Sequence, residues 1–261
     1  MTGETIFHGT AWYYARYRPG YPQELFDLLR GRFELDGTGR LLDLGCGTGK
    51  LAVPLAPLFE EVVAIDVDAG MLAELNAVAP ANLRTVHGRA EDVVAPPGAF
   101  RLATIGRAFH WMDRRVLLAR LDRIAAGLAL VGDGQPAEGE LPWWDAVQEV
   151  VREFLGPRRR AGTQGYFSHS GELWTELLAD SPFGAPEEHE IVLEREWDVE
   201  RVVGLLHSTS FASPPLLGDR MAEFDDTVRA RLAGFEQPLR ERVFVEVLLC
   251  LRPARDWAGR R

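Results

Sequence analysis

The stretch Arg40-Leu41-Leu42-Asp43-Leu44-Gly45-Cys46-Gly47-Thr48-Gly49-Lys50-Leu51 decides the fold. A short apolar run ends in an acid, three glycines follow at alternate positions, and a new apolar pattern begins at Leu51-Ala52-Val53. That order predicts a buried parallel strand, a tight turn and the start of a helix. Glycines lack a Cβ, so backbone N–H groups can approach a ligand closely, and a helix N-terminus adds partial positive charge. The stretch therefore predicts a nucleotide-type site.

Downstream, strands and helices alternate. The apolar runs predict strands at Glu61–Asp66, Leu83–His87, Phe100–Ile105 and Leu128–Val131, with helices over Lys50–Phe59, Gly70–Val78 and Asp113–Ala126 between them. Pro54 and Pro57 shorten or bend the first of these helices. Alternation at this spacing means βαβ units and a parallel sheet. Gly132–Glu140 is rich in glycine, proline and glutamate and reads as a loop or seam. Beyond it we expect helices Trp143–Leu155, Gly171–Leu178, Val199–Leu206 and Leu217–Gly234, with strands Glu188–Trp197 and Arg242–Leu251. Ser213-Pro214-Pro215-Leu216 reads as a loop.

Before the glycine stretch, residues 8–22 hold four tyrosines and a tryptophan. They predict an aromatic strap or lid, followed by a helix over Pro22–Arg30. Composition bounds the remaining possibilities. The chain has 261 residues and is 46% hydrophobic, enough for one large domain or one domain with an inserted cap. Net charge −10 repels phosphate backbones, so no nucleic-acid partner is expected. Arg158-Arg159-Arg160 reads as a solvated loop rather than a binding patch. No apolar run approaches the ~18 residues of a membrane span. Residues 1–8 carry no basic, apolar leader, and Cys46 and Cys250 form no metal or redox motif. The expectation is a cytoplasmic protein without membrane or metal partners, a monomer or homodimer.

Three glycine-rich signatures compete for the central stretch. The dinucleotide fingerprint wants Gly-x-Gly-x-x-Gly, but Lys50 stands at the sixth position. A P-loop needs one more residue between Gly45 and Gly49, and a hydroxyl where Leu51 stands. An acid followed by Gly-x-Gly-x-Gly fits, and Asp43 places a carboxylate beside a ligand that carries an ammonium. Asp66 lies 21 residues beyond Gly45, at a strand tip, where a carboxylate can accept both hydroxyl protons of a ribose. Met71, in the next helix, can face an adenine, and the polar tip Gly88-Arg89-Ala90-Glu91-Asp92 can bond a base edge.

On these residues the chain resembles the class I methyltransferases that use S-adenosylmethionine. Asp43–Gly49 is similar to their first motif, Asp66 to the acid that holds the ribose, and Glu91-Asp92 to the third motif near the adenine. Tyr14 with Arg18-Pro19-Gly20-Tyr21-Pro22, and Ala108-Phe109-His110-Trp111, resemble the trans-aconitate methyltransferase-like subgroup of type 11 enzymes. Arg101 departs from the pattern by replacing an acid after Phe100.

The resemblance implies an α/β, Rossmann-like fold with a seven-stranded, mostly parallel sheet of order 3-2-1-4-5-7-6. Strand 7 is antiparallel, helices cover both faces, and a helical cap is inserted after strand 5. A single methyltransferase domain over 1–261 then divides into an arm at 8–30, a cofactor core at 40–131, a cap at 140–180 and a C-terminal part at 188–251. It implies S-adenosyl-L-methionine as cofactor, held by Tyr14, Arg18, Asp43, Gly45, Cys46, Gly47, Thr48, Asp66, Val67, Met71, Ala90, Glu91, Asp92, Gly106, Arg107, His110 and Trp111. The expected reaction moves a methyl group to O, N or C of a small-molecule acceptor, a specialised metabolite among them. His110 is the candidate base, against the alternative that it packs beside the adenosine. Tyr13, Tyr17, Trp143, Tyr166, His169 and His207 are candidate acceptor contacts, each also readable as core. An NAD-dependent oxidoreductase and a non-catalytic cofactor-binding scaffold remain as alternatives.

Overall fold

Five parallel strands carry the first half of the chain: β1 (Arg40–Leu44), β2 (Glu61–Asp66), β3 (Leu83–His87), β4 (Leu102–Gly106) and β5 (Gly127–Asp133). The computed structural model describes residues 6–134, 139–163, 165–166 and 173–251. Leu42 of β1 stands opposite Val63 of β2 on one side and Ala103 of β4 on the other. Two later strands, β6 (Glu187–Trp197) and β7 (Leu239–Leu251), complete a sheet of order β3-β2-β1-β4-β5-β7-β6. β7 runs antiparallel to β5, with Leu248 opposite Leu130. The expected topology is therefore present. The strand order reverses between β1 and β4, so the carboxyl ends of those two strands flank the switch point where open α/β sheets bind ligands.

The chain divides into two compact units. The sheet unit draws on residues 20–133, 170–191 and 244–261. Its core joins Leu42, Leu44, Val63, Ile105 and Leu130 to the apolar stripe Leu117, Leu118, Leu121 and Ile124. That stripe recurs every three to four residues, as the buried face of a helix must.

Ten helices are described. α1 (Ala11–Tyr17) lies where the sequence predicted only a strap, and α2 (Gln23–Arg32) follows. The expected helix over Lys50–Phe59 is reduced to α3 (Ala52–Leu55) and a 3-10 turn, Ala56–Leu58. Pro57 has no N–H to continue an α-helix and its ring would strike the carbonyl four residues back. α4 (Ala69–Asn76) starts at a cap in which Asp68 accepts from Met71 N at 3.0 Å. α5 (Arg114–Ile124) is capped in the same way by Asp113, accepting from Val116 N at 3.2 Å. α6 (Pro142–Leu155) and α7 (Trp174–Ala179) follow β5.

α8 (Val199–His207) comes next. Ser213–Leu216 is not a loop, because Pro214 opens a short helix, α9 (Pro214–Leu217), with its fixed φ at the first helical position. Gly218, at φ +52°, then breaks the long helix expected there, and α10 spans only Met221–Leu232.

The second unit draws on residues 1–19, 134–169 and 192–243. Its core packs Trp143, Val147 and Val150 of α6 with Val202 and Leu206 of α8 and Phe224, Val228 and Leu232 of α10. Among the described residues no helix is long and apolar enough to cross a membrane.

Candidate active site

The loop after β1 is built on left-handed backbone. Gly45 has φ +62° and Gly49 φ +81°, a region that residues with a Cβ seldom enter. A Cβ on Gly45 would stand 2.6 Å from Ala108 Cβ, and one on Gly49 would stand 2.3 Å from Leu75 Cδ1. The loop is tied to β2 as well. Cys46 N donates to Ile65 O at 3.0 Å, and Gly47 N donates to Asp66 Oδ2 at 2.8 Å. Burial raises the Cys46 thiol well above its ordinary range, so it is an inert space-filler.

Asp43 lies under this loop and is 1% exposed. Thr104 Oγ1 donates to its Oδ1 at 2.7 Å, while Oδ2 has no hydrogen-bond partner. Thr48 Oγ1 is likewise buried without a partner. Burial pushes the Asp43 carboxyl up to about 7, with the nearby Asp66 raising it further and Thr104 and the Ala52 N–H opposing. An unpaired buried acceptor costs about 1–3 kcal/mol, and a cationic N–H donor would relieve it.

Asp66 ends β2. Its Oδ1 accepts from Asp68 N at 2.9 Å and its Oδ2 from Gly47 N. Burial raises this carboxyl also, and those two N–H groups oppose the rise. Each oxygen keeps a further lone pair, so a diol can still be bound. Val67 O receives His87 Nε2 at 2.9 Å, and Met71 is buried in α4.

Glu91 departs from the expectation. It is 8% exposed, and its Oε1 accepts from Asp113 N at 2.7 Å with Arg89 at 3.3 Å. The carboxylate thus anchors the start of α5, because a backbone donor there needs an acceptor. Ala90 is buried in the core, and Asp92 is exposed beside Arg89 at 3.9 Å.

At the tip of β4, a Cβ on Gly106 would stand 2.5 Å from Tyr21 Oη and 2.7 Å from Leu51 Cδ1. Arg107 follows at φ +54°, a strained setting for a side-chain-bearing residue. Its guanidinium lies 4.6 Å from the Tyr21 ring centre and 3.1 Å from Asp133 Oδ2. Burial lowers the Lys50 ammonium, and the charge of Arg107 lowers it further. His110 and Trp111 form a 3-10 turn with Phe109. The His110 ring sits 4.6 Å from Trp111 and nearly parallel to Trp174 at 6.5 Å.

Thr104, Tyr21 and Asp133 were not among the predicted site residues. Thr104 had a signal: it is the lone polar residue inside an apolar strand, and the register sets it opposite Asp43. Arg101, the departure noted in the sequence, binds Asp36, Thr38 Oγ1 and the carbonyls of Phe33 and Glu34. Thr38, then Arg101, hold the exposed Asp36 carboxyl down at about 2. Arg101 therefore tethers the loop between α2 and β1 to the start of β4.

The other predicted contacts belong to the second unit. Arg18 packs its guanidinium 5.3 Å from the Tyr14 ring. Tyr17 lies flat on α8, where a Cβ on Gly204 would meet its ring at 2.3 Å, and Tyr13 stands 5.0 Å from the His207 ring. His207 is 1% exposed, with Nε2 2.8 Å from Asp225 Oδ1 and Nδ1 3.3 Å from Ala212 O. Both its nitrogens are engaged, so the structure places it in the interior and not at an open acceptor surface. Trp143 is core, its Nε1 donating to Arg240 O at 3.0 Å. Tyr166 is exposed between Arg158 and Arg160. His169 lies outside the described residues.

Comparison with known proteins gives one consistent result. A family match described as a methyltransferase domain covers residues 41–132. An uncharacterized methyltransferase of Mycobacterium bovis is 33% identical over 141 residues, 53% of this chain and 55% of that protein. The chain thus spans about half the length of this curated relative. A trans-aconitate 2-methyltransferase of Deinococcus radiodurans is 39% identical over 85 residues, 31% of this chain and 32% of that protein. A candidate type II methyltransferase from Anaeromyxobacter dehalogenans superimposes with a TM-score of 0.56 at 26% identity, covering 90% of this chain and 96% of that one.

Proposed function

We propose that this chain is a class I S-adenosylmethionine-dependent methyltransferase that transfers a methyl group to O, N or C of a small-molecule acceptor, a reading supported by its match to a methyltransferase domain over residues 41–132 and by its methyltransferase relatives. The observation that carries the reading is Asp43, buried beneath a glycine loop with one carboxylate oxygen unpaired.

Donor chemistry tests the fit of the cofactor. An amino acid ammonium supplies the cationic donor that Asp43 Oδ2 lacks, and Thr48 Oγ1 offers a second buried polar atom in the same loop. Asp66 is the acceptor for ribose hydroxyls, with its two oxygens already oriented by Gly47 N and Asp68 N. Val67, Met71, Ala90, Asp92, Gly106, Arg107, His110 and Trp111 complete the proposed lining, with Asp92 exposed and Glu91 engaged by Asp113 N. When bound, S-adenosylmethionine supplies an electrophilic methyl on a sulfonium.

What the protein adds is orientation and exclusion of water, which can provide most of the acceleration for an in-line displacement. Asp43 and Asp66 fix the two ends of the cofactor, and the backbone strain at Arg107 aims its guanidinium at Asp133 and Tyr21. A net charge of −10 supports a small acceptor over a nucleic acid. The named activity of the Deinococcus radiodurans relative supports the same class.

The test is to incubate the protein with methyl-labelled S-adenosylmethionine and a fractionated small-molecule extract of its host. Label should move into one fraction. Label in no fraction, or only in RNA or protein, would contradict the proposal.

A further inference from the structure

A cavity of about 110 Å³ in the second unit is lined by the C-terminal end of α6 and by the arginine cluster that follows it. Four arginines, Arg152, Arg158, Arg159 and Arg160, contribute to its wall, while Val151, Leu155 and Phe211 give it an apolar side. The volume holds roughly three to four waters at about 30 Å³ each, or one compact ligand.

The charges of Arg152, Arg158 and Arg160 are not neutralised by ion pairs among the described residues. Glu149 and Glu153, the carboxylates of α6 nearest in sequence, pair instead with Arg231 at 2.8 and 3.1 Å. Among the described residues no carboxylate lies within ion-pair distance of Arg152, Arg158 or Arg160. A helix C-terminus attracts cations, but with only about half an elementary charge it cannot balance three guanidinium groups.

The wall is also preformed. The Arg158 guanidinium lies 4.1 Å from the Tyr166 ring centre and that of Arg160 5.1 Å from it. Arg160 is tied to Tyr166 Oη at 3.2 Å and Thr163 O at 3.3 Å, and Arg159 packs 4.7 Å from the Phe211 ring. Guanidinium groups stacked on aromatic faces keep their edge donors available for a planar or tetrahedral anion. Within the same lining, the side-chain amide nitrogen of Gln148 is buried and has no hydrogen-bond partner. A buried donor of this kind is costly unless a ligand or water completes it.

We propose that this cavity is a binding site for a small anion with a phosphate or carboxylate at one end and an apolar group at the other. The oxyanion meets Arg152, Arg158 and the Gln148 amide, and the apolar end lies against Val151, Leu155 and Phe211. An RNA strand is disfavoured by the small volume and by the net charge of −10. The proposal does not depend on the methyltransferase reading.

The test is calorimetric titration of the full chain at constant ionic strength with phenyl phosphate, benzoate and the neutral benzyl alcohol. Saturable binding of either anion, but not of benzyl alcohol, is expected. The double variant Arg152→Gln, Arg158→Gln and the single variant Gln148→Leu should each bind at least about tenfold more weakly, the scale of one lost charge-assisted contact. Melting temperatures without ligand should match the wild type, which separates a lost site from a lost fold. Phenyl phosphate binding but not benzoate identifies the charged end as phosphate. No saturable anion binding, equal binding of benzyl alcohol, undiminished binding in the variants, or tighter binding of a single-stranded RNA oligonucleotide through the same residues would overturn the inference.

Discussion

Thr104 Oγ1 lies 2.7 Å from Asp43 Oδ1, and the two residues stand opposite each other in the register of β4 and β1. The hydroxyl therefore fixes one carboxylate oxygen and leaves the other for a donor from elsewhere. Thr104→Val keeps the shape and deletes the hydroxyl. The variant should bind S-adenosylhomocysteine about tenfold more weakly at neutral pH, one charge-assisted contact's worth, and partly recover at higher pH. Calorimetry across pH checks this, and an unchanged affinity would remove Thr104 from the site.

The raised Asp43 carboxyl makes stability depend on pH with a definite sign. Its folded value of about 7 exceeds the ordinary 3.8, so the folded protein holds a proton that the unfolded chain releases. The contribution is complete below about pH 4 and is lost as pH rises to about 7, at no more than about 1.4 kcal/mol per pH unit. Urea unfolding of wild type and Asp43→Asn through that window isolates the effect. Wild type should lose stability relative to the variant as pH rises; the opposite slope would contradict the burial of this group. Asp66 has the same sign and is common to both proteins.

Gly49→Ala should destabilise the protein by about 1–3 kcal/mol, since φ is +81° and the new Cβ would stand 2.3 Å from Leu75 Cδ1. Thermal unfolding measures this. A variant as stable as wild type would mean that the loop tolerates a conformation without left-handed backbone.

Glu91→Ala separates a helix anchor from an adenine contact. The bond to Asp113 N is charge-assisted, so its loss should cost about 1.5–3 kcal/mol of stability. S-adenosylhomocysteine affinity should stay within about twofold. If affinity falls tenfold while stability is unchanged, Glu91 belongs to the base site after all.

The sheet was legible because its determinants are local. Apolar runs of four to six residues, the glycine spacing at 45, 47 and 49 and the acids at strand tips identify β1, β2 and the loop without tertiary information. Partners set by register or packing were not legible. Thr104 gains its role only when β4 aligns with β1, and Glu91 only when the start of α5 folds back beside it. Arg101 looked like a minor departure and became a tether to Asp36. Arg158 and Arg159 are exposed in a loop, as their charge run predicts, and only packing sets them against the Tyr166 and Phe211 rings beside a cavity. His207 illustrates the converse: a histidine's chemistry is open in sequence, and burial beside Asp225 closes it.

The proposed function turns on pairing between Asp43 and the ammonium of an S-adenosylmethionine-type ligand. Isothermal titration of S-adenosylhomocysteine into wild type and Asp43→Asn at neutral pH tests it most directly. Saturable one-site binding to wild type is expected, with binding weakened by about tenfold or more in the variant, whose unliganded melting temperature equals or exceeds that of wild type. Equal affinity in the two proteins, or no binding heat with wild type, would contradict it.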